Sequence, residues 1–194
     1  MKTTYKAEAR ALRALYYYYL VRAYGPVPIL GEEILDINKP ISDLKLARTP
    51  FDECIAYIVS ELDKAYTDLP YEPSNNEYGR ITKGVVKAYK VEALLLNASP
   101  LFNGNTAFAG VKNTDGTALF SANANPEKWR DAAVAAKAFI DEFVPNYYQL
   151  YKVSNADPFV AAYLSCRNVM TTDWNQEWIF ARSNSSNNAQ YDRT

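Results

Sequence analysis

The chain has 194 residues, 48% of them hydrophobic and 14% aromatic, with 21 Lys and Arg against 22 Asp and Glu. That composition suffices for one sizeable core, and a balanced charge without a Lys/Arg block leaves no footprint for nucleic-acid phosphates or an anionic bilayer. No histidine is present, which removes the commonest general base and every Ser-His-Asp or Cys-His arrangement.

Apolar runs fall short of the roughly 20 residues that a membrane span needs, and the start, MKTTYKAEAR, lacks the apolar stretch of a signal peptide. Two readings stay open: a cytoplasmic protein, or a chain missing its beginning. Cys54 and Cys166 are far apart and form no Cys-x-x-Cys pair, so they read as unpaired, part-buried thiols, with a disulfide as the alternative.

The first expected helix covers 3–24. Leu12, Leu15, Tyr16, Tyr19 and Ala23 fall on one stripe, Lys6, Arg10, Arg13 and Tyr17 on another, and Tyr18 lies over Ala11 and Ala14. Successive helical residues point about 100° apart, so Tyr16 to Tyr19 spread around the axis. A helix with rings on each side is expected to be surrounded by other elements, and Gly25, Pro26 and Pro28 end it.

Thr49-Pro50 reads as a cap followed by proline at the first helical position. The second helix, 51–69, carries the cleanest apolar stripe: Phe51, Ile55, Ile58, Leu62, Ala65 and Leu69. After the turn-rich YEPSNNEYGR, a third helix over 82–102 is broadly apolar, with Gly84 and Ala88 permitting close approach, and Pro100 ending or kinking it. A long polar loop follows. Asn125-Pro126 opens a fourth helix to 143 whose inner stripe is expected to hold Trp129, Ala132, Ala133, Ala136 and Ile140. Asp157-Pro158 opens a fifth segment to about 165, and EWIFARS reads as a short strand.

Catalytic and phosphate-binding patterns fail on inspection. Asp52-Glu53 and Asp141-Glu142 are adjacent on helices and point apart. GRITKGVV has valines where a phosphate loop needs Lys and Ser/Thr. The loop around Gly116 has Val111 and Ala122 in place of the first and last ligands of a calcium site. Neither a cofactor nor a metal is expected. The fold class is mainly α, a tetratricopeptide-like array of helical hairpins with long loops and a short strand near the C-terminus.

Three stretches, AEARALRALYYYYLVRAYGPVPIL (7–30), YGRITKGVVKAYKVEALLLNASPLFNG (78–104) and WNQEWIFARS (174–183), together resemble the hallmark segments of the SusD/RagB family of nutrient-binding outer-membrane lipoproteins from Bacteroidetes. Glu8, Ala9, Arg10, Leu12, Arg13, Ala14, Tyr24, Gly25, Val27 and Pro28 match the first segment. Gly79, Arg80, Lys83, Gly84, Ala98, Ser99, Pro100, Leu101 and Phe102 match the second, and Glu177, Ile179, Phe180, Ala181 and Arg182 the third. The resemblance implies a SusD-like α-superhelix in which 1–194 form a single domain, the central part of a longer protein with an N-terminal lipid-anchor region and a C-terminal portion.

The function it implies is non-catalytic capture of oligosaccharide at the cell outer membrane and delivery to a SusC-like TonB-dependent transporter. Peptide or another nutrient as cargo, and a tetratricopeptide-like protein-binding scaffold, are the alternatives. Tyr16 to Tyr19 then read as scaffold. Tyr191 with Asn187, Asn188 and Gln190 offers a ring beside amides and is the candidate ligand group, an ordinary polar loop being the other reading. Trp174 is a weaker candidate, whereas Trp129 and Trp178 read as core. The loop 103–115 is either plain surface or a transporter contact.

Overall fold

A computed structural model describes residues 2–36, 38–73, 77–172 and 174–181. Five helices carry the fold: α1 (Lys2–Tyr24), α2 (Phe51–Tyr66), α3 (Lys83–Ala98), α4 (Glu127–Phe143) and α5 (Pro158–Thr171). Helix α1 packs on α2, α2 on α3 and α3 on α4, the successive antiparallel pairing of a helical-hairpin array. Among the described residues α5 packs on none of the other four.

Helix ends follow local chemistry. The Gly25 N–H closes α1 on the Val21 carbonyl at 2.8 Å. Asp157 caps α5, its side chain accepting from the backbone N–H groups of Phe159 and Val160, with Pro158 in the first turn. Thr49 does not cap α2 as the sequence suggested: its hydroxyl accepts from the Ile29 N–H at 3.3 Å, and Pro50 holds the N-cap position. Helix α3 stops at Ala98 rather than 102, because Ser99 precedes Pro100 and is driven to extended backbone, ψ 147°. In the other direction, α5 runs six residues past 165, and the side chains of Asn175 and Trp178 donate to the Val169 carbonyl near its end.

The core lies where α1, α2 and α3 meet. Ala7, Ala11, Ala14, Tyr18 and Val21 of α1 face Ile55, Ile58, Leu62 and Ala65 of α2, with Val85, Val86 and Ala93 of α3. Their spacing of four, three, four and three residues makes one buried stripe. It is not the Leu12/Leu15/Tyr16/Tyr19/Ala23 stripe expected from the sequence; of that set only Leu15 is buried. Small alanines win this face because they let α1 approach α2 closely, whereas Tyr16, at 65% exposure, projects outward. The four consecutive tyrosines therefore divide their labour. Tyr18 is buried and its hydroxyl donates to Glu92 at 2.9 Å; the Tyr17 hydroxyl accepts from the Leu30 N–H at 2.9 Å; Tyr19 meets the Tyr89 hydroxyl at 2.5 Å; Tyr16 faces out. Burial and the Glu92 carboxylate push the Tyr18 hydroxyl up to about 12.

Helix α4 departs from expectation in the same way. Ala132 and Phe143 are buried, but Trp129 is 49% exposed and Ile140 also faces out. The true inner stripe runs Ala132, Ala135/Ala136, Phe139, Phe143, sharing only Ala132 and Ala136 with the expected one, since Ala133 is exposed. The long loop after α3, polar in sequence, is pinned by stacked rings: Phe51 on Phe102 at 4.1 Å and Phe108 on Phe120 at 4.8 Å. Residues 177–181 form turn and bend instead of the expected strand. A strand needs a partner, and among the described residues one backbone bond, Gln149 N–H to the carbonyl of the preceding Gln176, reaches this stretch from a neighbour. Both cysteines are free; Cys54 is buried, whereas Cys166 is exposed rather than part-buried.

Candidate functional site

Four turn segments converge beside the N-terminus of α3. Tyr71 and Glu72 follow α2, Tyr78 to Thr82 lead into α3, Tyr147 and Tyr148 follow α4, and residues 174–180 follow α5; together they enclose a cleft of about 180 Å³. Each segment is tied down by backbone bonds. The Lys83 N–H donates to the Pro70 carbonyl at 2.9 Å, and Tyr147 and Tyr148 donate to the Phe143 carbonyl at 2.8 and 3.1 Å.

Aromatic rings dominate the wall. Tyr78 stacks on Trp174 with centroids 4.9 Å apart and planes 27° apart, and Trp178 lies 6.3 Å from Trp174. Tyr71 stacks on Tyr147 at 5.0 Å. Tyr148 lies against Gly84, where a Cβ would sit 2.4 Å from its hydroxyl, so only glycine admits the ring there. The close approach expected at Gly84 is real, but the neighbour is this tyrosine. Burial raises the Tyr148 pKa, Thr82 works against that rise, and the Glu72 charge adds to it.

Among the described residues of the cleft the one guanidinium is already engaged. Arg80 donates from Nε and Nη2 to Glu8 at 2.9 and 2.5 Å and from Nη1 to Glu77 at 3.0 Å, with Tyr5 stacked 4.8 Å below its carbon. The hydrogen bonds it donates to Glu8 and Tyr5 hold its pKa above even the usual arginine range. Asn175 is likewise architectural, donating to the Val169 and Thr172 carbonyls and accepting from the Glu177 N–H. Gln176 hydrogen-bonds Gln149. What remains is a ring-lined slot edged by tyrosine hydroxyls and the Glu72 carboxylate. Such a surface can pack against pyranose C–H faces. Among the described residues no group of three or more His, Cys, Asp or Glu side chains is placed to hold a metal, and no helix is long and apolar enough to cross a membrane.

Of the residues singled out from the sequence, Trp174 stands in this wall, with φ 47°. Tyr191, Asn187, Asn188 and Gln190 lie outside the described residues. Trp178, read as core, is a half-buried wall residue, and Trp129 is a surface residue. Tyr71, Tyr78, Tyr147 and Tyr148 were missed; the only hint was the aromatic pair bracketing the turn-rich YEPSNNEYGR.

Residues 1–95 match the family model SusD-like_3, described as starch-binding associating with outer membrane. The solved structure of BT4246 superposes with a TM-score of 0.79 at 28% identity, over 95% of this chain and 35% of that one. Over 95 of its 194 residues the chain is similar to the SusD-like family. Two SusD-like structures share its fold. A SusD-like protein (BF3747) from Bacteroides fragilis NCTC 9343 matches 95% of the chain at 23% identity and a TM-score of 0.63. A SusD-like carbohydrate binding protein (BF0978) from the same organism matches 77% at 22% identity and 0.53. The chain spans 28% of the BF3747 protein and 22% of the BF0978 protein, so at most about a third of these relatives' length is represented. No curated protein matches it.

Proposed function

We propose that residues 1–194 are the central part of a non-catalytic oligosaccharide-binding lipoprotein of the cell outer membrane, which hands its cargo to a SusC-like TonB-dependent transporter. The family match over residues 1–95 supports the general role, since that family is described as starch-binding associating with outer membrane. The observation that carries the reading to this chain is the aromatic cleft, in which Tyr78 and Trp174 form a stacked pair at the end of one wall. Rings of this kind pack against the apolar faces of sugars, while hydroxyls and amides at the rim meet the sugar hydroxyls. Tyr191, Asn187, Asn188 and Gln190 follow directly in the sequence and extend the candidate ligand set.

Titrating the protein with a panel of oligosaccharides, followed by the fluorescence of its three tryptophans, tests this. Saturable quenching by at least one glycan is expected, together with co-purification of a TonB-dependent transporter from cells. Silence across the glycan panel with saturation by peptides would replace the cargo, and silence to both would overturn the reading.

A further inference from the structure

The charges around the ring-lined cleft do not balance. Arg80, the cation of its lining, already meets the carboxylates of Glu8 and Glu77. Glu72 belongs to the same lining, and among the described residues it forms neither an ion pair nor a hydrogen bond. One guanidinium thus stands among three carboxylates, and the negative sign is in excess. The Glu72 charge is felt inside the cleft, where it adds to the rise that burial imposes on the Tyr148 pKa. Lys83, whose ammonium lies 4.3 Å over the Tyr71 ring, is not part of the lining, and the hydroxyl of that same ring donates to the Glu142 carboxylate.

The rest of the wall reinforces this sign. Tyr78 is 45% exposed and stacked on Trp174, with Trp178 next in the row. An aromatic face carries negative potential and attracts a cation, and a carboxylate accepts charge-assisted hydrogen bonds from an ammonium group. A ligand carboxylate meets the same field as repulsion and finds no unpaired cation in the lining. At about 180 Å³ the cleft is smaller than the roughly 300–1,000 Å³ of sites for drug-sized molecules, which suits one sugar ring rather than a length of chain.

We propose that the cleft selects its sugar by charge: it takes an amino sugar, with the ammonium group held between the Glu72 carboxylate and the ring faces, ahead of a neutral sugar, and it turns uronic acids away. This selection rests on the reading of the cleft as the oligosaccharide site and adds the class of sugar to it.

The test is a titration of the protein, expressed from its whole gene, with glucosamine, glucose and glucuronate, at low salt and about pH 6, where a sugar amine is protonated. Galactosamine, galactose and galacturonate repeat the series with the other stereochemistry, and tryptophan fluorescence reads the dissociation constants. In the series that binds, the amino sugar is expected to bind about fivefold tighter than the neutral one, with the uronate weaker than both and the gaps narrowing as salt is added. Glu72→Gln is expected to bring the amino sugar down to the level of the neutral one, and Glu72→Lys to reverse the order. An amino sugar no tighter than its neutral counterpart, a uronate that equals it, or an order unchanged by Glu72→Gln overturns the selection. Nα-acetyl-lysinamide supplies an ammonium group without a sugar ring, and binding as tight as that of the amino sugar overturns the assignment to sugars. Silence from all six monosaccharides while the oligosaccharide panel saturates overturns the selection alone; silence from the panel as well overturns the oligosaccharide reading with it.

Discussion

Glu8, in the second turn of α1, and Arg80, two residues before the N-cap of α3, form a bidentate ion pair across 72 positions of sequence. The pair fastens the segment that carries Tyr78 to the first helix, so it links core to cleft wall. The Glu8 side chain is only 13% exposed, and removing its partner strands a mostly desolvated carboxylate. Arg80→Ala is expected to lower the melting temperature by several degrees and to weaken glycan binding. Arg80→Lys restores the charge but not the two-pronged geometry, and recovers less than half of the loss. Thermal unfolding of both variants beside Glu8→Gln checks the coupling: the double variant Glu8→Gln/Arg80→Ala loses less than the sum of the two single ones.

Glu61 is a buried carboxylate held by three cations, with Arg13 at 2.6 Å, Lys64 at 2.9 Å and Arg10 at 3.4 Å. Burial alone raises its pKa, but the hydrogen bonds from Lys64 and Arg13 outweigh that and hold it below the ordinary 4.5. A depressed folded-state value contributes stability that is present above 4.5 and lost as pH falls through the folded value. Glu61→Gln is expected to cost about 2 kcal/mol at neutral pH and to flatten the acid limb of stability below 4.5. Urea unfolding across that range, wild type against variant, measures both.

The same α1 helix marks the limit of what a single sequence gives. That it is a helix, where it ends and that it is apolar on more than one side could be read from period and punctuation. Which side the core takes could not, because an alanine stripe and an aromatic stripe compete and the winner depends on how closely α2 approaches. The α4 stripe was misjudged alike: Trp129, three residues before Ala132, and Ile140, one past Phe139, share the alanines' spacing but sit at the exposed edge of the Ala132–Phe139–Phe143 line. The cleft was illegible for another reason. Its residues come from four turns with no periodicity, brought together only by tertiary contacts such as Glu8 to Arg80 and Tyr148 on Gly84.

Tyr16 and Tyr18 differ by two residues and are expected to differ sharply under substitution. Tyr18→Phe removes a hydroxyl that donates to Glu92 and is expected to destabilise the chain by about 1–2 kcal/mol. Tyr16→Ala in the 194-residue chain, where the ring faces out, stays within about 0.5 kcal/mol of wild type. Chemical denaturation of the two variants side by side decides it, and equal losses would contradict the division of roles among the tyrosines.

Gly104 closes the turn that brings the end of α3 to the start of α4. Its φ is 80°, and a Cβ there would stand 2.7 Å from the Ala124 amide nitrogen and 2.8 Å from its Cα. Next to it the Asn103 side chain both accepts from the Asn125 N–H at 2.7 Å and donates to the Asn125 carbonyl at 2.9 Å. Gly104→Ala combines left-handed strain with a clash against backbone, and is expected to cost about 2–4 kcal/mol. Calorimetry of that variant, with Gly110→Ala as the neutral control in open space, checks the account.

The cleft prediction turns on separating binding from stability. Trp174 is half-buried, stacks on Tyr78 and contributes no hydrogen bond among those that hold the described residues together, so its loss removes a ring face more than it removes support. Trp174→Ala and Tyr78→Ala are each expected to weaken oligosaccharide binding about tenfold or more, as loss of a ring worth about 1.5 kcal/mol implies, while shifting the melting temperature by only a few degrees. Gly84→Ala acts on the same wall from behind, forcing the Tyr148 ring from its seat, and is expected to weaken binding with both stacked rings intact. Titration calorimetry with the best glycan of the panel measures all three. Undiminished affinity in every variant would remove this cleft from the binding site and leave the segment that follows it in sequence, with Tyr191 and its neighbouring amides, as the place to look.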